Sequence, residues 1–122
     1  MVIKIPNRFN WVEIRVKDLE KAQKFYESLF DWKITGDENK NYAYWMISTG
    51  EKTGGALWRM PKEKPTGVYV YIVVDNIEKT LEKIVKMGGK IVAPKSKEDG
   101  NAMATFADPN GNLLSLYEYA KQ

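Results

Sequence analysis

The same unit is written twice in this chain, at an offset of 58 positions. Trp11 to Ile34 reads WVEIRVKDLEKAQKFYESLFDWKI, and Tyr69 to Val92 reads YVYIVVDNIEKTLEKIVKMGGKIV. Laid over each other without a gap, Val12 meets Val70, Ile14 meets Ile72, Val16 meets Val74 and Leu19 meets Ile77. The Glu20-Lys21 pair then meets Glu78-Lys79. Each copy is an alternating β-branched strand, an Asp/Asn turn and an amphipathic segment, and two further strand-like runs follow. A repeat constrains architecture before any single motif does, and two copies are too few to stack into a solenoid. The expected arrangement is a pair of units about a pseudo-twofold axis, with function in a groove between paired sheets.

Within each copy the local signals agree. From Phe9 to Val16 the residues alternate, with Val12, Ile14 and Val16 on one side and Trp11, Glu13 and Arg15 on the other, as in a half-buried strand. Asp18 stands at an N-cap, and Leu19, Ala22, Phe25, Tyr26 and Leu29 follow at helical spacing. Asp31 to Ile34 leads into a polar loop, GDENKN, and strands are expected over Tyr42 to Ser48 and Gly55 to Met60. PKEKPTG, from Pro61 to Gly67, has the Pro and charge content of an exposed crossing between modules. In the second copy a strand spans Tyr69 to Val74, and Asp75 with Glu78 resembles a capping box. Ile77, Leu81, Ile84 and Val85 form the helical stripe, and Gly88-Gly89 stops it. A short strand at Ile91-Val92, a loop from Pro94 to Asn101 and a strand from Ala102 to Ala107 come next. An Asp108-Pro109-Asn110-Gly111 turn then leads to a last strand over Leu113 to Tyr119. Residues 1–8 read as an arm or an extra strand. The sum is an α+β fold: two β-α-β-β-β modules, about 9–60 and 67–119, with curved mixed sheets forming a cup, in one domain of 122 residues.

Composition excludes several function classes. The chain is 43% hydrophobic and 29% charged, the balance of a soluble globular protein. No apolar run approaches the roughly 20 residues of a membrane span, and the start lacks the apolar core of a signal peptide. Without Cys there is neither a disulfide framework nor thiolate chemistry, so a cytoplasmic protein is the expectation. The net charge of +3 is carried almost wholly by Lys, interleaved with Glu and Asp, and Arg occurs only at 8, 15 and 59. A nucleic-acid face concentrates Arg and Lys, so this pattern reads as a solvated surface of mixed sign.

The strand alternation also separates two faces. Val12, Ile14, Val16, Val70, Ile72 and Val74 form an aliphatic side that should carry the helices. The opposite side presents Trp11, Glu13, Arg15, Tyr69, Tyr71, Ser115 and Tyr117. Aromatics interleaved with single polar groups suit a concave ligand pocket, and equally suit a seam between modules or subunits. By parity Trp58 reads as facing the helix and Trp32 as core, while Trp45 is open.

The repeated unit, the run VKDLEKAQKFYESLFDWKI, the GGAL of the fourth strand and FADPNGNLLSLYE near the end resemble the glyoxalase, bleomycin-resistance and extradiol-dioxygenase superfamily. The resemblance covers Phe9 to Tyr119 and implies paired modules forming a cup, commonly in a homodimer, with lyase, isomerase or dioxygenase chemistry among its members. In metal-dependent members four His or Glu ligands rise from the cup floor. The corresponding positions here are Trp11, Leu57, Tyr69 and Ser115, and the chain has no His. Such side chains cannot replace imidazoles and carboxylates around a divalent ion, so no metal and no cofactor is expected. Asp108, Asn110 and Asn112 offer too few oxygens for calcium, and the glycine pairs lack the context of a phosphate loop. No Ser-His or Cys-His nucleophile is available.

Three functions follow. The leading one is a metal-free, bleomycin-resistance-like protein that holds an aromatic or partly cationic small molecule in an aromatic cup. Its candidate binding residues are Trp11, Glu13, Arg15, Leu57, Arg59, Tyr69, Tyr71, Ser115 and Tyr117. The second is a lyase or isomerase with Glu13 as general base, its carboxyl desolvated by Trp11 and Tyr71. The third is a dimeric accessory protein whose cup is filled by its own side chains. Against the catalytic role stands a structural one, in which Glu13 pairs with Arg15 or Arg59 or bonds a tyrosine.

Overall fold

The alternation at Phe9–Val16 does become a strand, β1, and the Asp18 signal does open a helix, α1 (Leu19–Leu29), in a computed structural model that describes residues 5–36 and 43–121. β2 (Lys33–Thr35), β3 (Tyr44–Ser48) and β4 (Gly54–Arg59) follow. The second copy supplies β5 (Gly67–Val73), α2 (Ile77–Lys86), β6 (Lys90–Glu98), β7 (Asn101–Ala107) and β8 (Leu113–Glu118). The fold is α+β. The start of the expected arm and most of the GDENKN loop lie outside the described residues.

The chain divides into two units. The first, Trp11–Tyr69, contains a mixed sheet in the order β2-β3-β4-β1, in which β1 and β4 are parallel and the other neighbours antiparallel. Its core gathers Leu19, Ile34, Ile47 and Leu57, with Ile14, Val16, Ala22, Tyr26, Trp32 and Trp45 packed against it. Asp18 caps α1 by accepting from the Lys21 N–H at 3.0 Å. Phe25 and Leu29, expected in the helical stripe, are exposed, because Leu19, Ala22 and Tyr26 already cover the sheet. After β4 the crossing segment is pinned by Lys17. Its ammonium donates to the carbonyls of Pro61 (2.6 Å), Lys62 (3.1 Å) and Lys64.

The second unit joins the residues up to Asn10 with those from Val70 onward. Its sheet runs β5-β8-β7-β6, with β5 and β8 parallel and the rest antiparallel. The core is Val74, Ile77, Leu81, Ala102, Ala104 and Leu116, with Ile72, Ile84 and Phe106 against it. Residues 5–8 form no strand, yet Val73 N–H donates to the Arg8 carbonyl and Asn7 Nδ2 to the Val73 carbonyl, both at 2.9 Å.

Three expectations for this unit need correction. The cap of α2 is Asn76, whose side chain accepts from Lys79 N–H at 2.9 Å, and not Asp75. Glu78 is drawn away to Lys95, and the Ile77 N–H is met instead by Glu118 Oε1 at 2.8 Å. Val85 lies outside the stripe and is exposed. Finally, the expected loop from Pro94 to Asn101 is mostly strand: β6 continues through Pro94 to Glu98. A proline is tolerated because β6 is the edge of its sheet and its register shifts on both sides of Ala93. The reversal falls at Asp99-Gly100, both at positive φ, the residue pair that a two-residue hairpin favours.

Candidate functional site

In the first unit, β1 turns Ile14 and Val16 into the core under α1 and so directs Trp11, Glu13 and Arg15 to the other face. The β1–β4 register sets Ala56 beside Glu13 and Trp58 beside Arg15. The β3–β4 register then brings Tyr44 beside Trp58. Four of these side chains join in one hydrogen-bond chain. Trp11 Nε1 donates to the Tyr44 hydroxyl at 2.8 Å, and that hydroxyl donates to Glu13 Oε2 at 3.3 Å. Arg15 Nε donates to Glu13 Oε1 at 2.8 Å. Glu13 is only 3% exposed, whereas the Arg15 side chain is 20% exposed. The Arg15 guanidinium lies 3.7 Å from the centroid of Tyr69 and 4.9 Å from that of Trp58, and Tyr44 meets Trp58 edge-on at 6.1 Å.

Each piece of this arrangement has a physical cause. A carboxylate removed from water needs a charged partner and full hydrogen bonding, and Arg15 with Tyr44 supplies both. The guanidinium keeps a planar face for the aromatic rings while its edge makes the ion pair. Of the two roles weighed for Glu13, this is the structural pairing, with Arg15 as the partner. Arg59 is not part of it, since it stands level with Val16 and is exposed.

The fourth strand requires a further correction. Leu57 stands level with Ile14 and is fully buried in the core under α1, so it does not share the face of Glu13. Trp58, read from sequence as facing the helix, is on the Glu13 face and 36% exposed. In the second unit Tyr71 stands level with Ser115, as Glu13 stands level with Ala56. The counterpart of Ser115 is thus Ala56, one residue earlier than the constant offset gives, and a one-residue slip exchanges the two faces of a strand. The signal was present in the sequence: Ala56-Leu57-Trp58 and Ser115-Leu116-Tyr117 share a small–Leu–aromatic order. Tyr44 was missed because Tyr44, Trp45, Met46 and Ile47 show no clean alternation. Trp45, left open by the sequence, packs against the core.

The equivalent face of the second unit has no ion pair at its centre and is built from hydroxyls and tyrosine rings. Ser115, 2% exposed, shares a hydrogen bond of 3.2 Å with the Thr105 hydroxyl. Tyr71 meets Tyr117 edge-on at 6.4 Å, and Tyr117 meets Tyr119 at 4.9 Å. The Tyr119 hydroxyl accepts from Arg8 Nη2 and Asn10 Nδ2. Burial, more than the nearby Tyr119 and Glu98, raises the Tyr117 hydroxyl above the ordinary tyrosine range. In the turn before β8, hydrogen bonds from Asn112, first from its side chain, hold the Asp108 carboxyl below its usual value. An open depression of about 560 Å³ runs along α1 beside Asp18, Lys21, Lys24 and Trp45, and is lined by none of the candidate binding residues.

The glyoxalase/bleomycin resistance protein/dioxygenase superfamily pattern matches residues 8–116, and the chain belongs to that superfamily. A protein of Mycobacterium tuberculosis provisionally named glyoxylase CFP32 is 30% identical over an alignment 118 positions long, gaps included, that covers 89% of this chain and 44% of that protein. The chain thus spans less than half the length of this relative. A glyoxylase-like domain-containing protein of Didymella fabae is 31% identical over an alignment 85 positions long, gaps included, that covers 65% of this chain and 66% of its own. Among solved structures, methylmalonyl-CoA epimerase from Mycobacterium tuberculosis superposes with a TM-score of 0.67 at 15% identity, covering 93% of this chain and 88% of that one. A superfamily member from Vibrio splendidus gives 0.68 at 13%, over 93% and 99% of the two chains. Likenesses at such identities establish the fold.

The residues at the superfamily's metal positions do not fit a divalent ion. Trp11 and Tyr69 present an indole and a phenol, Ser115 is tied to Thr105, and the β4 position is by register the methyl of Ala56, the Leu57 given by the constant offset facing the core. Among the described residues no three His, Cys, Asp or Glu side chains gather in a way that could hold a metal. No helix among them is long and apolar enough to cross a membrane.

Proposed function

We propose that this protein binds a small organic molecule, without a divalent metal, on the face of its first unit built by Trp11, Glu13, Arg15, Tyr44, Trp58 and Tyr69. The observation that carries the reading is the Trp11–Tyr44–Glu13–Arg15 chain, a fully bonded polar network set among aromatic rings. Such networks fix side-chain geometry, and rigid aromatic surfaces with a few placed polar groups are what small-molecule sites require. Superfamily membership supports the class, and the relatives' names give no ligand for this chain. The alternative of a lyase or isomerase with Glu13 as base is less well supported, because both carboxylate oxygens already accept hydrogen bonds. A cationic ligand is disfavoured for the same reason, since Arg15 already balances the Glu13 charge. A twofold homodimer in the cytoplasm is the setting we propose, with the exposed Phe25, Leu29 and Phe30 at the end of α1 as its apolar support.

The test uses the chain's own reporters. Of its four tryptophans, Trp11 and Trp58 lie on the proposed face, whereas Trp32 and Trp45 pack against the core. In ¹⁵N-labelled protein, titration with a panel of small aromatic acids, amides and amines should move the Trp11 and Trp58 indole resonances and leave the other two in place. A panel that moves neither, or that moves all four alike, overturns the reading.

A further inference from the structure

We infer that Arg15 is the anion anchor of this face and that the ligand it selects carries a carboxylate. The inference rests on the binding reading above and deepens it. Arg15 spends a single N–H, on Nε, in its bond to Glu13. Among the described residues its two terminal nitrogens donate to no protein group, although the side chain remains one-fifth exposed. Those nitrogens carry four N–H bonds in a fixed plane. The guanidinium is held by the Glu13 contact at Nε and by its place over the Tyr69 and Trp58 rings.

A guanidinium restrained in this way has already lost the rotamer freedom that binding would otherwise cost. Its open edge matches the two oxygens of a carboxylate, which accept a parallel pair of hydrogen bonds. Glu13 limits the charge that fits. The Glu13–Arg15 pair is neutral, so a monoanion leaves one net negative charge beside donors, while a dianion is opposed by the Glu13 carboxylate nearby. The same position explains why the metal-site residues could be lost. In metal-dependent members of the superfamily a divalent cation is the positive centre, and its ligand positions here hold Trp11, Tyr69 and Ser115, with Ala56 on β4 by register. Arg15 provides a positive group on the same face as Trp11 and Tyr69, with donors in place of coordination sites. The ligand class is therefore a planar or apolar body, to lie on the exposed Trp58 ring, bearing one carboxylate.

Benzoate and benzamide serve as probes because they share shape and differ in charge. Benzoate should move the Trp11 and Trp58 indole resonances together with Arg15 Nε–H, and should bind about tenfold or more tightly than benzamide, the range for hydrogen bonds to charged groups. The double variant Glu13→Gln/Arg15→Gln removes both charges at once and avoids leaving a buried carboxylate unpaired. In it the preference for benzoate should vanish. Where that variant does not fold, Arg15→Lys keeps the charge and removes the fork, and the benzoate-to-benzamide ratio should fall. An unchanged ratio in a folded variant overturns the inference. So do equal affinities in the wild-type protein with both indoles moving, a result that leaves the binding face standing. If neither probe moves either indole, the binding reading fails and the inference fails with it.

Discussion

The two units share a plan and differ in what they place on the side of the sheet away from the helix. Where the first has Glu13 and Arg15, the second has Tyr71 and Val73, both buried. One unit thus holds an ion pair roofed by aromatic rings, and the other a hydroxyl pair, Ser115 with Thr105, below a run of tyrosines. The helix-side cores by contrast are near copies: Leu57 in one and Leu116 in the other occupy the same place, each almost fully buried. Duplication has kept the half of each unit that makes it fold and let the other half diverge. Function is expected in the divergent half.

The sharpest way to break this comparison is to remove the charge. Glu13→Ala leaves Arg15 and the Tyr44 hydroxyl without their acceptor, and should lower unfolding free energy by about 3 kcal/mol, the low end for a broken buried pair because Arg15 is partly exposed. Tyr71→Phe, at the matching position, removes one hydroxyl and should cost about 1 kcal/mol. Equal losses by urea denaturation would mean that the two faces are energetically alike after all. A smaller but still distinct effect is expected on β4. A Cβ at Gly55 would come 2.0 Å from the Val12 carbonyl oxygen, so Gly55→Ala must push β1 and β4 apart at a cost of about 1–3 kcal/mol. The second unit has Leu114 at the corresponding place and needs no such gap.

The smallest effects are in pH dependence, and both belong to the second unit. Tyr117 titrates above its ordinary value of 10.0 in the folded protein. Its contribution is complete below pH 10 and is lost as pH rises through the folded value, because the buried phenolate is disfavoured. Asp108 titrates below its ordinary 3.8, so its contribution is present above that pH and is lost as pH falls through the lowered value. Thermal unfolding followed across both ranges should show a decline at each extreme. Phe at 117 should remove the alkaline decline, and Asn at 108 the acidic one.

Much of this was legible in the sequence. The repeat placed both helices and the strands around them, and alternation in β1 separated Glu13 and Arg15 from Ile14 and Val16. What escaped was what a linear offset cannot carry. One additional residue between β5 and β8, relative to β1 and β4, shifted the fourth strand and exchanged Leu57 with Trp58. Tyr44 was hidden in a run without alternation, where only the register with β4 decides the face. Pro94 was read as a break, although an edge strand with shifted register accommodates it and Asp99-Gly100 marked the true turn. The partner of Glu13 was among the alternatives weighed, and strand register chose Arg15 over Arg59.

The Lys17 clip has a consequence for how the chain survives cleavage. The segment it holds contains Lys62, exposed and followed by Glu63, and Lys64, whose bond to Pro65 a trypsin-like protease does not cut, so the bonds at issue are those around Lys62–Glu63. Proteases act on backbone drawn out into an extended strand, and here three carbonyls around those bonds are tethered to one ammonium. Because its partners are peptide oxygens, no carboxylate titration can release the tether. A lysine just past the end of β1 thus shields a lysine of the crossing segment, and acetylation of Lys17 would expose the Lys62–Glu63 bond to the enzyme.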